Sequence, residues 1–186
     1  MHPLDTVVLS NAVRLAATAV LWLLLLDPAT AQTKPGEPVG SGLSVPRYVS
    51  LKPDRVNLRS GPGTEYPTVW VYKRAGLPLE VIKEYEAWRQ VRDAEGASGW
   101  VLQTLLSGRR TALVEPWEVK PGVAAPQIAL YADTSEKSTL VAKVEAGVIA
   151  NVLACDGNWC RVTLDQFKGF VQQKKLWGVY DTEIVK

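Results

Sequence analysis

The sequence holds few side chains of the types that carry out catalysis, and its two cysteines are the most specific of them. Cys155 and Cys160 lie in the segment CDGNWC, with four residues between them. A redox-active pair has the shorter spacing Cys-x-x-Cys, and a zinc site would need two further Cys or His ligands. In an exported chain, two cysteines at this spacing predict a structural disulfide. A metal pair and a redox pair are the alternatives.

Three glutamates, Glu80, Glu84 and Glu86, are the candidates for carboxylate catalysis of the kind that glycosidases use. Glu80 and Glu84 fall on the same face of one strand candidate, where solvated charges are the simpler interpretation. Gly61 and Gly63 flank a proline in a turn and do not join a strand to a helix, so a phosphate-binding loop is not indicated.

The N-terminal residues 1–31 have the features of a secretory signal peptide. Arg14 precedes the apolar run LAATAVLWLLLL, and small residues around Ala31 supply a cleavage site. A membrane-spanning helix needs about 20 apolar residues, so we expect no stable membrane anchor. Cleavage after Ala31 also removes His2, the one histidine, and with it any Ser-His-Asp or Cys-His arrangement. We therefore predict a periplasmic or secreted protein that is not an enzyme and has neither cofactor nor metal.

The rest of the chain has the pattern of an all-β protein. Residues 32–46 are rich in Pro, Gly and Ser and predict a flexible linker. After them, short β-prone runs alternate with Gly, Pro and Asp turns. The strand candidates of the first half are Arg55–Arg59, Thr68–Tyr72, Pro78–Tyr85, Trp88–Arg92 and Ser98–Leu102. Those of the second half are Gln127–Tyr131, Thr139–Val144, Ile149–Cys155, Trp159–Thr163 and Gly169–Gln172.

The two halves repeat one another. Trp88 matches Trp159 at an offset of 71 residues, and Gly99-Trp100-Val101 matches Gly169-Phe170-Val171 at an offset of 70. A repeat of this length is too long for a solenoid unit and indicates tandem globular modules. We predict a first module over residues 47–113 and a second over residues 114–186, with the Pro and Gly of residues 115–122 marking the seam.

The segment Val56-Asn57-Leu58-Arg59-Ser60-Gly61-Pro62-Gly63, followed by Tyr66-Pro67, resembles the opening signature of bacterial SH3-like domains. Trp88-x-x-Val91 and Gly99-Trp100-Val101 continue the resemblance, and residues 118–178 are similar to a degenerate copy that lacks the Gly-Pro-Gly turn. The tandem order resembles small exported proteins of Gram-negative bacteria with no assigned activity. The resemblance implies two small SH3-like β-barrels in tandem and a binding role, often to cell-wall material.

Several residues are expected to serve the fold. Gly61 and Gly63 permit positive φ around Pro62, which allows a sharp reversal after the first strand. The three tryptophans that recur at strand positions are expected to fill or cap a barrel core, with the core favoured for the first two: Trp88, Trp100 and Trp159. A bridge between Cys155 and Cys160 would staple a hairpin.

The first module is the better candidate for binding. Residues 46–113 carry 11 basic and 7 acidic side chains, whereas residues 114–186 carry 8 and 9. The candidate ligand-binding residues are Arg59, Tyr66, Tyr72 and Arg89, joined by Trp70 as a further aromatic; the alternative is that the aromatics fill the core and Arg59 braces a turn. The leading hypothesis is contact with cell-wall peptidoglycan. The rival is binding to an extended peptide of an envelope protein. Nucleic acid is not expected as a partner, since the net charge is only +2.

Overall fold

The computed structural model describes residues 40–186, and the predicted signal peptide lies outside these residues. The strands of the described part form two sheets. The first contains β1 (Arg47–Leu51), β2 (Val56–Arg59), β3 (Thr68–Tyr72), β4 (Pro78–Tyr85), β5 (Trp88–Arg92), β6 (Ser98–Leu102) and β7 (Leu106–Ser107). The second contains β8 (Thr111–Val114), β9 (Gln127–Tyr131), β10 (Leu140–Glu145), β11 (Ile149–Asp156), β12 (Trp159–Leu164), β13 (Phe167–Gln172), β14 (Leu176–Trp177) and β15 (Ile184–Val185).

The two sheets have the same topology. The strand order is β3-β2-β6-β5-β4-β1-β7 in the first and β10-β9-β13-β12-β11-β8-β14 in the second, with β15 added beside β11. A short 3-10 helix follows the sixth strand of each, at Gln103–Leu105 and Gln173–Lys175. The internal repeat and the prediction of two tandem SH3-like barrels are therefore confirmed. We call them the first barrel (β1–β7) and the second barrel (β8–β15).

Alternating burial explains why these runs form strands. Along β2, Val56 and Leu58 are buried and Asn57 is exposed, which gives one apolar face and one solvated face. Each barrel has its own core. That of the first is formed by Val49, Leu51, Val56, Leu58, Tyr72, Leu79, Val81, Val91, Val101 and Leu106. The second is built mainly from Ile128, Leu130, Ala150, Val152, Val162, Val171 and the two cysteines.

One glycine of the repeat is required by close packing. A Cβ built on Gly99 would lie 2.7 Å from the carbonyl oxygen of Arg59, and a Cβ on Gly169 would lie 2.6 Å from that of Tyr131. Real Cβ atoms do not approach backbone oxygens so closely, so both positions exclude a side chain. The match between the two Gly-aromatic-Val motifs thus has a structural cause.

The boundary between the barrels lies earlier than the sequence predicts. β8 begins at Thr111 and pairs with β11 and β14, so it belongs to the second barrel. The Pro- and Gly-containing residues 115–122 do not mark a seam, because they lie in the long loop between β8 and β9. The corresponding loop of the first barrel, between β1 and β2, spans only residues 52–55.

Side chains from both barrels meet between them. The Thr111 hydroxyl donates to the carbonyl oxygen of Gly76 at 2.7 Å, and both groups are buried. The Arg74 guanidinium donates to the carbonyl oxygen of Gly147 at 3.1 Å. The rings of Tyr48 and Tyr180 lie 4.7 Å apart. Among residues 40–186, no helix is long and apolar enough to cross a membrane.

Candidate binding groove between the barrels

A groove of about 790 Å³ separates part of the first barrel from the second. We call it the inter-barrel groove. The first barrel contributes β3 and the loop residues beside it, together with the turn between β5 and β6. The second barrel contributes Leu113, Pro116, Val119, Ala146 and Gly147. A concave and mostly apolar surface with a few polar groups is the usual form of a ligand site.

Trp70 is the most exposed large aromatic side chain of the groove. Its exposed fraction is 58%, although β3 lies against the buried strand β2. Trp70 is opposite Leu58, and the register of the two strands shifts directly after this pair, at Arg59. β3 pairs only with β2 among the described strands, so it is an edge strand. A solvent-exposed indole on an open strand edge is an uncommon use of so large an apolar surface and is typical of a binding face.

Three cations line the groove without an acidic partner among residues 40–186, and one of them, Arg74, donates to the carbonyl oxygen of Gly147. None of the five ion pairs found among residues 40–186 includes Arg55 or Lys73. Both residues are exposed and line the groove. Val56 is opposite Tyr72, and the same register continued by one residue places Arg55 opposite Lys73. The two positively charged residues are therefore cross-strand neighbours and could bind an anion together.

The turn between β5 and β6 provides the acidic side of the groove. Asp93 is buried and accepts hydrogen bonds from the Tyr72 hydroxyl at 3.0 Å and from the Ala97 amide at 2.8 Å. Burial and the neighbouring Asp93 raise the pKa of Tyr72, so its hydroxyl stays protonated and donates. Glu95 is exposed and lines the groove, and its carboxylate takes part in no ion pair within the described chain.

Two of the candidate ligand-binding residues, Tyr72 and Arg89, are buried. Tyr72 is 4% exposed because its ring belongs to the core and its hydroxyl is used by Asp93. Arg89 is 3% exposed because its guanidinium lies 3.0 Å from the Glu84 carboxylate and donates to two backbone carbonyls. Both side chains are therefore part of the fold.

Arg59 and Tyr66 lie beside the Gly-Pro-Gly turn. Arg59 Nη1 donates to the carbonyl oxygens of Thr64 at 2.9 Å and Tyr66 at 2.6 Å. These hydrogen bonds brace the turn, which is the alternative role that the sequence analysis gives to Arg59. Tyr66 is 41% exposed, and its ring covers Gly61. A contact of Arg59 or Tyr66 with a ligand stays a prediction. A smaller hollow of about 290 Å³ lies here, lined by Arg55, Arg59 and Trp88 among others.

The reason given for the turn glycines needs correction. Neither Gly61 nor Gly63 has a positive φ. Gly61 is needed because a Cβ would overlap the ring of Tyr66, and a Cβ at Gly63 would meet the flexible carboxylate of Glu65. The requirement at Gly61 is space for an aromatic ring, which sequence patterns do not reveal.

The prediction that Glu80 and Glu84 are solvated is also wrong. Glu80 is 3% exposed, accepts from Arg92 Nε at 2.9 Å and from the Tyr180 hydroxyl at 3.1 Å, and so joins the two barrels. Glu84 accepts a hydrogen bond from the Ser41 hydroxyl at 2.7 Å and pairs with Arg89. Burial opposes ionisation of Glu84, but the hydrogen bonds and the arginines outweigh it and lower its pKa to about 2.

The tryptophans predicted to serve the core are only half-buried, and none of them belongs to the buried core of its barrel. Trp100 packs edge-on against Tyr85 with centroids 6.4 Å apart, and Trp159 packs against Tyr131 at 5.9 Å. Cys155 and Cys160 form the predicted disulfide. Both cysteines are buried, and the bond fits a location outside the cytoplasm. In the described part of the chain, no group of three or more His, Cys, Asp or Glu side chains is placed to hold a metal ion.

Sequence reasoning missed Arg55, Lys73 and Glu95 as site residues. Each lies just beyond the end of a strand, where an isolated charge is ordinary. Only the register of β2 and β3 and the position of the second barrel bring them to one groove. The one available signal was Trp70, a large aromatic in a strand that contributes only Tyr72 to the core.

Two sheets of the same topology, each with its own core, define a tandem pair of small β-barrel modules. The family described as bacterial SH3 domain matches residues 52–108 and 124–178. The chain therefore belongs to the bacterial SH3 domain family, and both barrels are copies of its domain.

This chain matches only part of the length of each related protein. A protein of Bacillus subtilis (strain 168), YrvJ, named as a candidate N-acetylmuramoyl-L-alanine amidase, is 24% identical over 123 residues, which is 65% of this chain and 24% of the relative. NlpC2 of Trichomonas vaginalis is 13% identical with a TM-score of 0.31, over 73% of this chain and 49% of the other. An NlpC/P60 family protein of Bacillus cereus ATCC 10987 is 14% identical with a TM-score of 0.30, over 70% of this chain and 55% of the other. This chain thus spans about a quarter of the curated relative and about half of these structures, and TM-scores this low carry no conclusion.

Proposed function

We propose that the protein is exported and binds cell-wall peptidoglycan without cleaving it, through the inter-barrel groove. The observation that carries the proposal is the exposed indole of Trp70 beside the unpaired cations Arg55 and Lys73. Peptidoglycan offers carboxylates for the cations and flat sugar or peptide surfaces for the indole. The proposal keeps the first barrel as the main contributor but moves the site from Tyr72 and Arg89 to exposed neighbours.

The state of the carboxylates supports a binding role over a catalytic one. A glycosidase needs one carboxyl that holds a proton near neutral pH and a second that is free to attack or to activate water. Glu80 is used by Arg92 and Tyr180, and Glu84 is held ionised by Ser41 and Arg89. Asp93 is saturated by donors from its own turn and from Tyr72. These groups hold the fold together, which leaves them poorly suited to acid-base work.

A second candidate function is recognition of an extended peptide of an envelope protein. The observation that favours it is the free edge of β3, because an exposed strand edge can pair with a peptide backbone whatever its side chains. The two candidates differ in whether purified wall alone is sufficient for binding.

Co-sedimentation with purified sacculi tests the proposal. Protein produced by export of the full chain is mixed with sacculi at low salt, and the bound fraction is measured after centrifugation. We expect saturable binding that weakens as salt is raised, because exposed ion pairs are screened. Trp70→Ala should lower the affinity about tenfold or more. Phe167→Ala is the matched control, since Phe167 is an exposed aromatic of the second barrel that does not line the groove.

Two results would contradict the proposal in different ways. If the protein stays in the supernatant at every salt concentration, wall binding is wrong and the protein-peptide candidate gains. If soluble wall fragments accumulate with time and with protein concentration, the assignment as a protein that does not cleave its ligand is wrong. Equal loss of binding in Trp70→Ala and Phe167→Ala would move the site away from the groove.

A further inference from the structure

We infer that residues 178–183, which we call the C-terminal clasp, hold the two barrels at the angle that forms the inter-barrel groove. This role rests on the proposed function, since it concerns the shape of the same binding site. The clasp joins β14 to β15, and all but its first residue lie beyond residue 178, where the second match to the family domain ends. It is therefore an addition of this chain to the repeated domain.

The clasp is held to the connection between the barrels by Arg110, which lies between β7 and β8. Its guanidinium donates to both carboxylate oxygens of Glu183, at 2.7 and 2.9 Å, and to the carbonyl oxygen of Gly178 at 2.9 Å. The Tyr180 amide donates to the same carboxylate at 2.9 Å. The hydrogen bonds from Arg110 lower the pKa of Glu183, so its carboxylate stays ionised and the pair persists at neutral pH.

Tyr180 carries the clasp across to the first barrel. Its hydroxyl donates to Glu80 at 3.1 Å, and Glu80 is a buried residue of β4 that also accepts from Arg92. Its ring lies 4.7 Å from that of Tyr48 in β1, and Tyr48 in turn packs edge-on against Trp177 at 5.2 Å. Burial and the neighbouring Glu80 raise the pKa of Tyr180, so its hydroxyl stays protonated and remains a donor.

The clasp grips the same strands that form the two walls of the groove. Pro78 lines the groove and lies two residues before Glu80 on β4, and Leu113 lines it three residues after Arg110. None of the described clasp residues lines the groove itself. The walls belong to different barrels, so a change in the angle between the barrels changes the distance between the walls. The clasp residues are thus positioning residues for the groove.

Two other contacts cross the junction, but each depends on one backbone acceptor. The Thr111 hydroxyl donates to the Gly76 carbonyl oxygen, and the exposed Arg74 donates to that of Gly147. Two bodies joined at two points can still rotate about the line through those points, and a third attachment removes this freedom. The clasp supplies the third attachment through a charge-assisted hydrogen bond and aromatic packing, which are stronger than either of the other contacts.

The distance between the barrels and the affinity for sacculi test the clasp together. Spin labels are placed on Lys83→Cys in the first barrel and Lys143→Cys in the second, two exposed positions outside the groove. Pulsed electron paramagnetic resonance then gives the distribution of distances between the labels in the full exported chain. Sacculi binding is measured by co-sedimentation of the unlabelled protein. We expect one narrow distribution in the protein that keeps its clasp.

Tyr180→Phe removes the hydroxyl that reaches Glu80 and keeps the ring on Tyr48. The distance distribution should broaden and the affinity for sacculi should fall about threefold, because apparent affinity falls with the fraction of molecules in the binding arrangement. Adding Glu183→Gln, which weakens the hold of Arg110, should bring the loss to about tenfold. Tyr131→Phe is the matched control, since Tyr131 is a half-buried tyrosine that packs against Trp159 within the second barrel.

The outcomes separate failure of the clasp from failure of wall binding. If the double variant keeps a narrow distribution and binds sacculi as the wild type does, the clasp has no positioning role and wall binding stands. A broadened distribution with unchanged affinity also overturns the role, because the groove then does not depend on the angle. Equal losses in Tyr180→Phe and Tyr131→Phe would do the same. If the wild type does not bind sacculi, the proposed function fails, and the distance distributions alone decide whether the clasp holds the barrels.

Discussion

The hairpins β4–β5 and β11–β12 occupy the same place in the two barrels but are closed in different ways. Glu84 is opposite Arg89 in the first barrel, and Cys155 is opposite Cys160 in the second. The ion pair of one barrel and the disulfide of the other thus stand at equivalent register positions. Noncovalent charge pairing and a covalent bond serve the same structural purpose here, which is to hold two strands together at the point where they turn.

Each hairpin is also covered by a segment from outside the repeated strands. In the first barrel, Ser41 precedes β1 and donates to Glu84 through both its amide and its hydroxyl. In the second barrel, β15 pairs with β11 beside Cys155. The last part of the linker predicted over residues 32–46 is therefore attached to the first barrel. In the first barrel, the added segment is held by hydrogen bonds from Ser41 to the Glu84 carboxylate of the ion pair. In the second barrel, the added strand β15 is held by backbone pairing with β11 beside the disulfide.

Among the changes to the two hairpins, removing the carboxylate of Glu84 should cause the largest loss in the free energy of unfolding. Arg89 is almost fully buried, so Glu84→Ala leaves its guanidinium without a counter-ion. We expect the free energy of unfolding to fall by about 3 kcal/mol, the usual cost of breaking a buried ion pair. Urea denaturation followed by tryptophan fluorescence measures the change. A loss below about 0.5 kcal/mol, as for an exposed pair, would show that the ion pair does not correspond energetically to the disulfide.

Replacing the disulfide should have the next largest effect. Cys155→Ala with Cys160→Ala should lower the free energy of unfolding by about 2 kcal/mol, the chain-entropy estimate for a short closed loop. The reciprocal variant, Glu84→Cys with Arg89→Cys, places a cysteine pair at the same register position in the first barrel. When oxidised, it should be about 2 kcal/mol more stable than when reduced. If the engineered cysteines do not form a disulfide, the two register positions differ in backbone geometry and are not equivalent.

The contribution of Glu84 to the pH dependence of stability should be visible as a difference between the wild type and Glu84→Gln, because the lowered pKa values of Asp156 and Glu183 in the second barrel affect both proteins equally. The pKa of Glu84 is about 2 in the folded protein and 4.5 without its partners. Its ionised form therefore stabilises the fold above pH 4.5, and this contribution is lost as the pH falls from 4.5 toward 2. The effect should be smaller than that of Glu84→Ala, because a protonated carboxyl still forms hydrogen bonds. Denaturation midpoints of wild type and Glu84→Gln should converge over this window, and parallel curves would contradict the assignment.

The strands of these hairpins also show which parts of the fold can be predicted from the sequence. The bounds of β4, β5 and β6 are predicted from their β-prone residues and the turns between them, and buried residues alternate with more exposed ones along β5 and β6. β1, β8 and the two-residue strands β7, β14 and β15 escape prediction. β8 is buried throughout and shows no alternation, and the short strands exist only because a partner strand lies beside them.

The candidate site was less predictable than the fold for the same physical reason. Whether Arg89 is a ligand or a structural cation depends on Glu84 standing opposite it, and the cross-strand register decides that. The groove itself needs two barrels in one fixed arrangement, which requires contacts such as Thr111 with Gly76. A single sequence reports which residues are polar, but it does not report which of them already have partners.

The turns of the two hairpins provide the smallest and most local test. Glu86 and Gly157 are equivalent turn residues, and both have positive φ, 48° and 96°. The left-handed conformation is unfavourable for Glu but not for Gly, whereas Gly costs more chain entropy on folding. Since the conformational cost is the larger of the two, Glu86→Gly should stabilise the protein by about 0.5 kcal/mol.

The opposite change, Gly157→Ala, should destabilise the protein by about 1 kcal/mol or more, because a Cβ is strained at this φ and would lie 3.4 Å from the Thr182 carbonyl oxygen. Both values come from the same denaturation measurement, and the contrast in sign is the informative result. If Glu86→Gly is destabilising as well, the first hairpin depends on the side chain of Glu86. The two turns would then be equivalent in backbone conformation but not in how their sequences stabilise it.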